Sequence, residues 1–184
     1  MQQTSVQFDK VISQCKEIFL KKTADYGTSW RIFRTSSITD QLFIKASRIR
    51  GIEEKGTHLI EEGIEPEFIG IVNYGIMGLI QLEGKDIDKL ELDLVTTESW
   101  YTATAQSIKD LMLLKNHDYG EAWRDMSQQS FADLILMKLM RIKQILLNDG
   151  KTLISEGIDA NYVDIINYAV FALILMAEGK HATV

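Results

Sequence analysis

Between Tyr162 and Ala177 the chain is apolar or aromatic except for Asp164 and Asn167, which lie three residues apart and so share a face of any helix built there. An ionised carboxylate in oily surroundings is costly unless a cation, a donor network or a metal compensates it. Asp164 is therefore the residue to explain. Two readings of it stand: a metal or substrate contact, or a structural role, either a buried ion pair with a Lys or Arg from the neighbouring helix or a hydrogen-bonded knot with Asn167.

Around it the sequence supplies a set of acids and a set of bases. Glu156 precedes Asp164 by two helical turns, and Asp118 and Asp133 belong to other elements of the same half. Oxygen ligands converging from several helices are how a bundle holds Mg²⁺, usually with water and substrate phosphates completing the shell. His58, His117 and His181 have no zinc-ligand spacing. On the basic side, Lys138 and Arg141 share a helix face, with Arg124 just before that helix. Together they suit a phosphate, the arginine offering two parallel donors; the plain alternative is pairing with Asp118, Asp133 and Asp164.

Asp118, Tyr119 and Gly120, followed by Trp123, read either as a helix end plugged by an indole or as aromatics that stack on a base. Tyr168 beside Asn167 admits the same two readings. Cys15 is the chain's one cysteine, a small core residue on the first helix. There is no nucleophile motif, Walker loop or dinucleotide fingerprint.

The elements that must carry these residues are helical. Val11, Ile12, Cys15, Ile18 and Phe19 recur at three- and four-residue steps. Gly27 ends that helix, a second begins near Ser37 or Thr39, and a third follows Pro66. After a charged connector the programme repeats. Asp25, Tyr26, Gly27, Trp30 and Arg31 return as Asp118, Tyr119, Gly120, Trp123 and Arg124, at an offset of 93, and Asp40, Lys45 and Arg48 return as Asp133, Lys138 and Arg141. Ten of the 26 positions from 25 to 50 match in this register, too many for chance. One inserted residue then makes the offset 94, so Glu62, Asn73 and Tyr74 become Glu156, Asn167 and Tyr168.

The predicted fold is all-α, one compact domain (1–184) of two three-helix units, 1–84 and 98–184, joined by a connector at 85–97. Neither third helix can bury itself alone, so the units should pack about a pseudo-two-fold axis, a single chain imitating a homodimer. Homodimerisation of the whole chain is left open. Asp164 aligns with Gly70, which suggests that the first unit's core helix serves packing and the second's serves chemistry. Gly75 and Gly78, aligned with Ala169 and Ala172, leave room for a close helix.

The formal charge is −6 and basic residues are scattered among acids, which disfavours direct nucleic-acid binding. The N-terminus lacks the pattern of an export signal, and the longest apolar run, Tyr168 to Ala177, is short for a bilayer. A cytoplasmic protein without a membrane partner is expected, and the single cysteine suits a reducing compartment.

KKTADYGTSWR, KNHDYGEAWR, the K..R pair and EGIDANYVDIINY resemble the nucleotide modification associated domain 1 family, once per half. That family is in turn similar to the all-α nucleoside triphosphate pyrophosphatases of the MazG type, in which helix carboxylates hold Mg²⁺ that activates water against the α-phosphorus. The resemblance implies a nucleoside phosphate as ligand and Mg²⁺ as cofactor, with hydrolysis to monophosphate and pyrophosphate as the candidate reaction. Glu156 and Asp164 would be the metal ligands and catalytic acids, Lys138 and Arg141 the phosphate grips, and Asn167 either a support behind the metal ligands or a base contact, with Arg124, Tyr168, Asp118, Tyr119 and the first-half Lys45, Arg48 and Asn73 beside them. The chain departs from the family pattern at Ala160, Pro66 and Gly70, where acids are common, and its second helix carries no dense EExxE cluster. A non-catalytic nucleotide-binding or scaffold module associated with base modification is the alternative.

Overall fold

The computed structural model describes residues 2–56 and 63–181; His58 and Glu62 lie outside them. Among the described residues the chain forms six α-helices and no strand: α1 (Gln2–Tyr26), α2 (Thr35–Lys55), α3 (Glu65–Glu83), α4 (Leu94–Tyr119), α5 (Gln128–Leu147) and α6 (Ile158–Ala177). Gly27 and Gly120 end α1 and α4 with φ of 67° and 61°, a left-handed geometry that glycine adopts without a Cβ clash. Each is followed by a single 3₁₀ turn, Ser29–Ile32 and Ala122–Asp125, which places Trp30 and Trp123 against the core.

Two boundaries differ from the sequence expectation. Helix α2 starts at Thr35, and Thr39 is an interior residue whose hydroxyl bonds the Thr35 carbonyl (2.8 Å) and meets the Tyr162 hydroxyl (2.9 Å). Helix α4 starts inside the stretch read as connector, because the Asp93 carboxylate caps it by accepting the Thr96 N–H at 2.8 Å.

The duplication is legible in what is buried. Thr4, Phe8, Val11, Cys15, Phe19 and Thr23 form the buried stripe of α1, and Thr97, Tyr101, Thr104, Ile108, Met112 and Asn116 repeat it on α4 at the same offset of 93. Ion pairs across the axis repeat too: Asp40 meets Lys143 at 3.2 Å, and their counterparts Asp133 and Arg50 meet at 3.3 Å.

Helices α3 and α6 form the most extensive contact in the molecule, α2 lies against α5, and α1 against α4. Gly75 and Gly78 make the central crossing close. A Cβ on Gly75 would stand 2.5 Å from Ile166 Cγ1, and one on Gly78 would stand 3.0 Å from Tyr162 Cε2. Helix α6, as a complete element, is long and apolar enough to span a bilayer, but 72% of that window is buried inside the protein, against α3 and α5. Its apolar surface is spent on the core.

Candidate functional site

Asp164 faces two ammonium groups. Lys115, near the end of α4, donates to Oδ1 at 2.8 Å, and Lys138 on α5 donates to Oδ2 at 2.6 Å. The Asp164 and Lys138 side chains are 13% and 10% exposed, and that of Lys115 is 38%. Burial pushes the Asp164 carboxyl up, but the two lysine hydrogen bonds and charges outweigh it and hold the group below the usual aspartate range. Lys115 is raised: desolvation works against its charge, and Asp164 and Glu156 more than offset it. Of the two readings of Asp164, the geometry gives the ion-paired one, with lysines as the partners.

That arrangement does not fit Mg²⁺. Both Asp164 oxygens carry a cation already, and Glu156 is an exposed loop residue that reaches Lys115 only through its field. A divalent ion would enter beside two ammonium groups that repel it. Among the described residues no group of three or more His, Cys, Asp or Glu side chains gathers. Arg141 is exposed and does not contact Asp164; its charge is felt by the half-buried Tyr168. Asp118 and Tyr119 are exposed, with Asp118 beside His117 (3.1 Å) and Tyr119 73% exposed. Asn167 is buried, and its Oδ1 has no hydrogen-bond partner.

Arg124 proves to be a clamp. It donates to Thr4 Oγ1 (2.6 Å), Gln7 Oε1 (2.7 Å) and Glu178 Oε1 (3.1 Å) and lies 4.4 Å over the Trp123 ring, tying the start of α1 to the end of α6. Its counterpart Arg31 does the same for the connector, donating to Gln81 Oε1 (2.7 Å) and to the Lys85 and Asp86 carbonyls (2.8 and 2.7 Å). The tryptophan of each turn is a plug, as Trp123 stacks flat on Phe171 at 4.2 Å. Both indole N–H groups are buried without an acceptor, a shared property of the turn.

An open cleft lies in the other half. A cleft of about 670 Å³ is bounded by the last turns of α1, the Gly27–Phe33 turn, Lys45 of α2 and the first half of α3. Its aromatic walls are Phe19, Tyr26, Trp30, Phe33 and Tyr74, and its charged groups are Lys22, Lys45 and Glu67. The volume falls within the roughly 300–1,000 Å³ of small-molecule sites, which pair apolar walls with a few polar groups. Lys45 lies 3.3 Å from Glu67 and 5.8 Å from the Tyr74 ring centre, and Arg48 hydrogen-bonds Glu67 from the next turn of α2. Asn73 also lines the cleft, with both ends engaged: it donates to the Cys15 carbonyl (3.0 Å) and accepts from the Tyr101 hydroxyl (2.8 Å). Cys15 is fully buried, and burial pushes its thiol up to about 12.

A family model described as nucleotide modification associated domain 1 matches residues 22–82 and 115–176, one segment in each unit and most of the chain. The chain belongs to that family. The two segments start 93 residues apart and end 94 apart, the register of the internal repeat. Comparison with curated proteins and with solved structures gives no match.

The sequence reading put the site around Asp164; the cleft gathers that site's first-unit counterparts. Lys45, Asn73 and Tyr74 line it, as do Tyr26 and Trp30 from the family's DYGxxWR segment, while Arg48 acts from behind Glu67. Lys22 and Glu67 were missed. Lys22 was detectable, since it precedes DYG by the same step as Lys115. Glu67 was harder, because its aligned residue is Asn161 and the second unit's acid sits one turn later.

Proposed function

We propose that this family member is a nucleotide-binding module of nucleotide modification, taking a nucleoside phosphate into the first-unit cleft without turning it over. The observation that carries this reading is the cleft's composition: aromatic walls able to hold a base, with Lys22 and Lys45 among the lining residues for the phosphate. Family membership supplies the nucleotide context.

Hydrolysis of a triphosphate, the MazG-like form of the same idea, needs carboxylates grouped around Mg²⁺. Among the described residues Glu67 is the one carboxylate that lines the cleft, and it is held by Lys45 and Arg48. In our reading Mg²⁺ arrives on the ligand's own phosphates.

The test is thermal unfolding of the full chain with nucleosides and with nucleoside mono-, di- and triphosphates, with and without Mg²⁺, alongside a pyrophosphate-release assay. Ligand bound to the native state adds about 2.7 kcal/mol at a hundredfold excess over Kd, so a binder raises Tm visibly. Stabilisation by nucleoside phosphates without release is the expected result. Release of pyrophosphate would make the chain a hydrolase, and no shift with any common or modified nucleotide would remove the nucleotide reading.

A further inference from the structure

The two units present the same pair of lysines in two situations. Lys115 and Lys138 converge on the Asp164 carboxylate, one ammonium to each oxygen. Their counterparts at an offset of 93, Lys22 and Lys45, both line the first-unit cleft, and so does Gly70, which stands where Asp164 stands. The second unit thus contains a complete anion seat whose anion is part of the chain. In the first unit the same two lysines and a residue with no side chain line one cleft, with the Lys45 chain lying across Gly70.

We propose that Asp164 is a built-in stand-in for a ligand's anionic group, and that Lys22 and Lys45 above Gly70 form the seat for that group in the first unit. The seat takes a terminal phosphoryl oxyanion, which like a carboxylate presents adjacent oxygens sharing negative charge to two ammonium donors. The second unit is the self-occupied copy. This deepens the nucleotide reading and rests on it only for the body that carries the phosphate.

Three details support the assignment. Lys22 is exposed, lines the cleft and forms no ion pair among the described residues. Lys45 is held more loosely than its counterpart, at 3.3 Å from Glu67 against 2.6 Å for Lys138 and Asp164. When Lys45 turns to a phosphate, Arg48 keeps Glu67 neutralised. Finally, the Lys45 chain lies across Gly70, where a Cβ would come within 2.6 Å of its Cε, so the glycine is what lets this lysine occupy the floor of the cleft.

The experiment is titration calorimetry on the full chain with a nucleoside monophosphate, its parent nucleoside, and inorganic phosphate and pyrophosphate. The proteins are wild type, Gly70→Asp, Gly70→Asn and Lys22→Gln, each checked for a native thermal transition. Gly70→Asp, which gives the first unit its own stand-in, should weaken the phosphate-bearing ligands about tenfold or more, the worth of a charge-assisted contact, and Gly70→Asn distinctly less. Lys22→Gln alters an exposed side chain, and should weaken the same ligands while sparing the nucleoside.

Nucleotide binding that is equal in wild type, Gly70→Asp and Lys22→Gln would overturn the seat and leave the nucleotide reading standing. Equal losses in Gly70→Asp and Gly70→Asn would also overturn it, because space and not charge would then be the cause. If no nucleotide binds but phosphate or pyrophosphate does, and Gly70→Asp abolishes that binding, the seat stands and the nucleotide reading falls. No binding by any of these probes removes both.

Discussion

The side chain of Lys45 crosses Gly70 so closely that a Cβ there would stand 2.6 Å from Lys45 Cε and 2.9 Å from its Nζ. The contact is with the far end of a flexible chain, so a small side chain displaces the lysine at little cost. Alanine also favours the helix by about 1 kcal/mol over glycine. Gly70→Ala should therefore leave stability unchanged or raise it by up to about 1 kcal/mol in urea denaturation. A clear loss would mean that Lys45 is pinned where it lies.

Replacing Asp164 leaves two ammonium groups facing each other. Breaking a fully buried pair costs about 3–5 kcal/mol, and the partial exposure of Lys115 lets water recover some of that, so Asp164→Asn should cost about 2 kcal/mol. Lys138 is far less exposed than Lys115, so Lys138→Met should be the more damaging of the two lysine variants. Chemical denaturation at neutral pH gives the order directly.

The same carboxylate predicts a pH dependence. Its folded pKa lies below the unfolded value, so its contribution is fully present above about 3.9 and disappears as pH falls through the depressed folded value. The stability gap between wild type and Asp164→Asn should be flat from pH 7 to 5 and close below about pH 4. A gap that closes already near neutrality would show a raised pKa and refute the pairing.

Asn73 and Asn167 are repeat partners with different fortunes. Asn73 Oδ1 accepts the Tyr101 hydroxyl, whereas the counterpart of Tyr101 is Phe8, and Asn167 Oδ1 goes unpaired. Tyr101→Phe should destabilise by about 1–3 kcal/mol by orphaning a buried acceptor, while Phe8→Tyr should stabilise by up to about 1 kcal/mol by supplying one with a donor. Changes of the same sign in both variants would break the equivalence.

Arg31 is buried and its guanidinium bonds Gln81 together with three connector carbonyls, those of Lys85, Asp86 and Lys89, a fork that an ammonium cannot reproduce. Arg31→Lys should cost about 2 kcal/mol. Hydrogen exchange should show the loss first in residues 85–93, the segment those bonds hold.

The helices, the repeat and its register were all readable from spacing, because a 3.6-residue period and a recurring tryptophan are local signals. The role of Asp164 was not. Its two lysines lie 49 and 26 residues away in sequence, and nothing local says whether a cation beside an acid is a protein group or a guest. The Asp164–Gly70 difference is visible in the sequence, where an acid in an apolar run draws more attention than a glycine does. Only the packing of α1, α2 and α3 shows that the Lys45 side chain lies across Gly70 at the cleft. Arg124 misled for the same reason: an arginine before a basic helix resembles a phosphate grip until Thr4, Gln7 and Glu178 arrive from the chain's two ends.

The reciprocal pairs Asp40–Lys143 and Asp133–Arg50 are the contacts that two identical subunits would make across a dyad. Here a covalent tether joins the two sides, so their association does not depend on dilution. Identical subunits must also carry the same residue at both symmetric places, while a tethered pair need not. Freed from that equality, one half can retain glycine and an accessible hollow while the other trades its hollow for aspartate and internal cohesion.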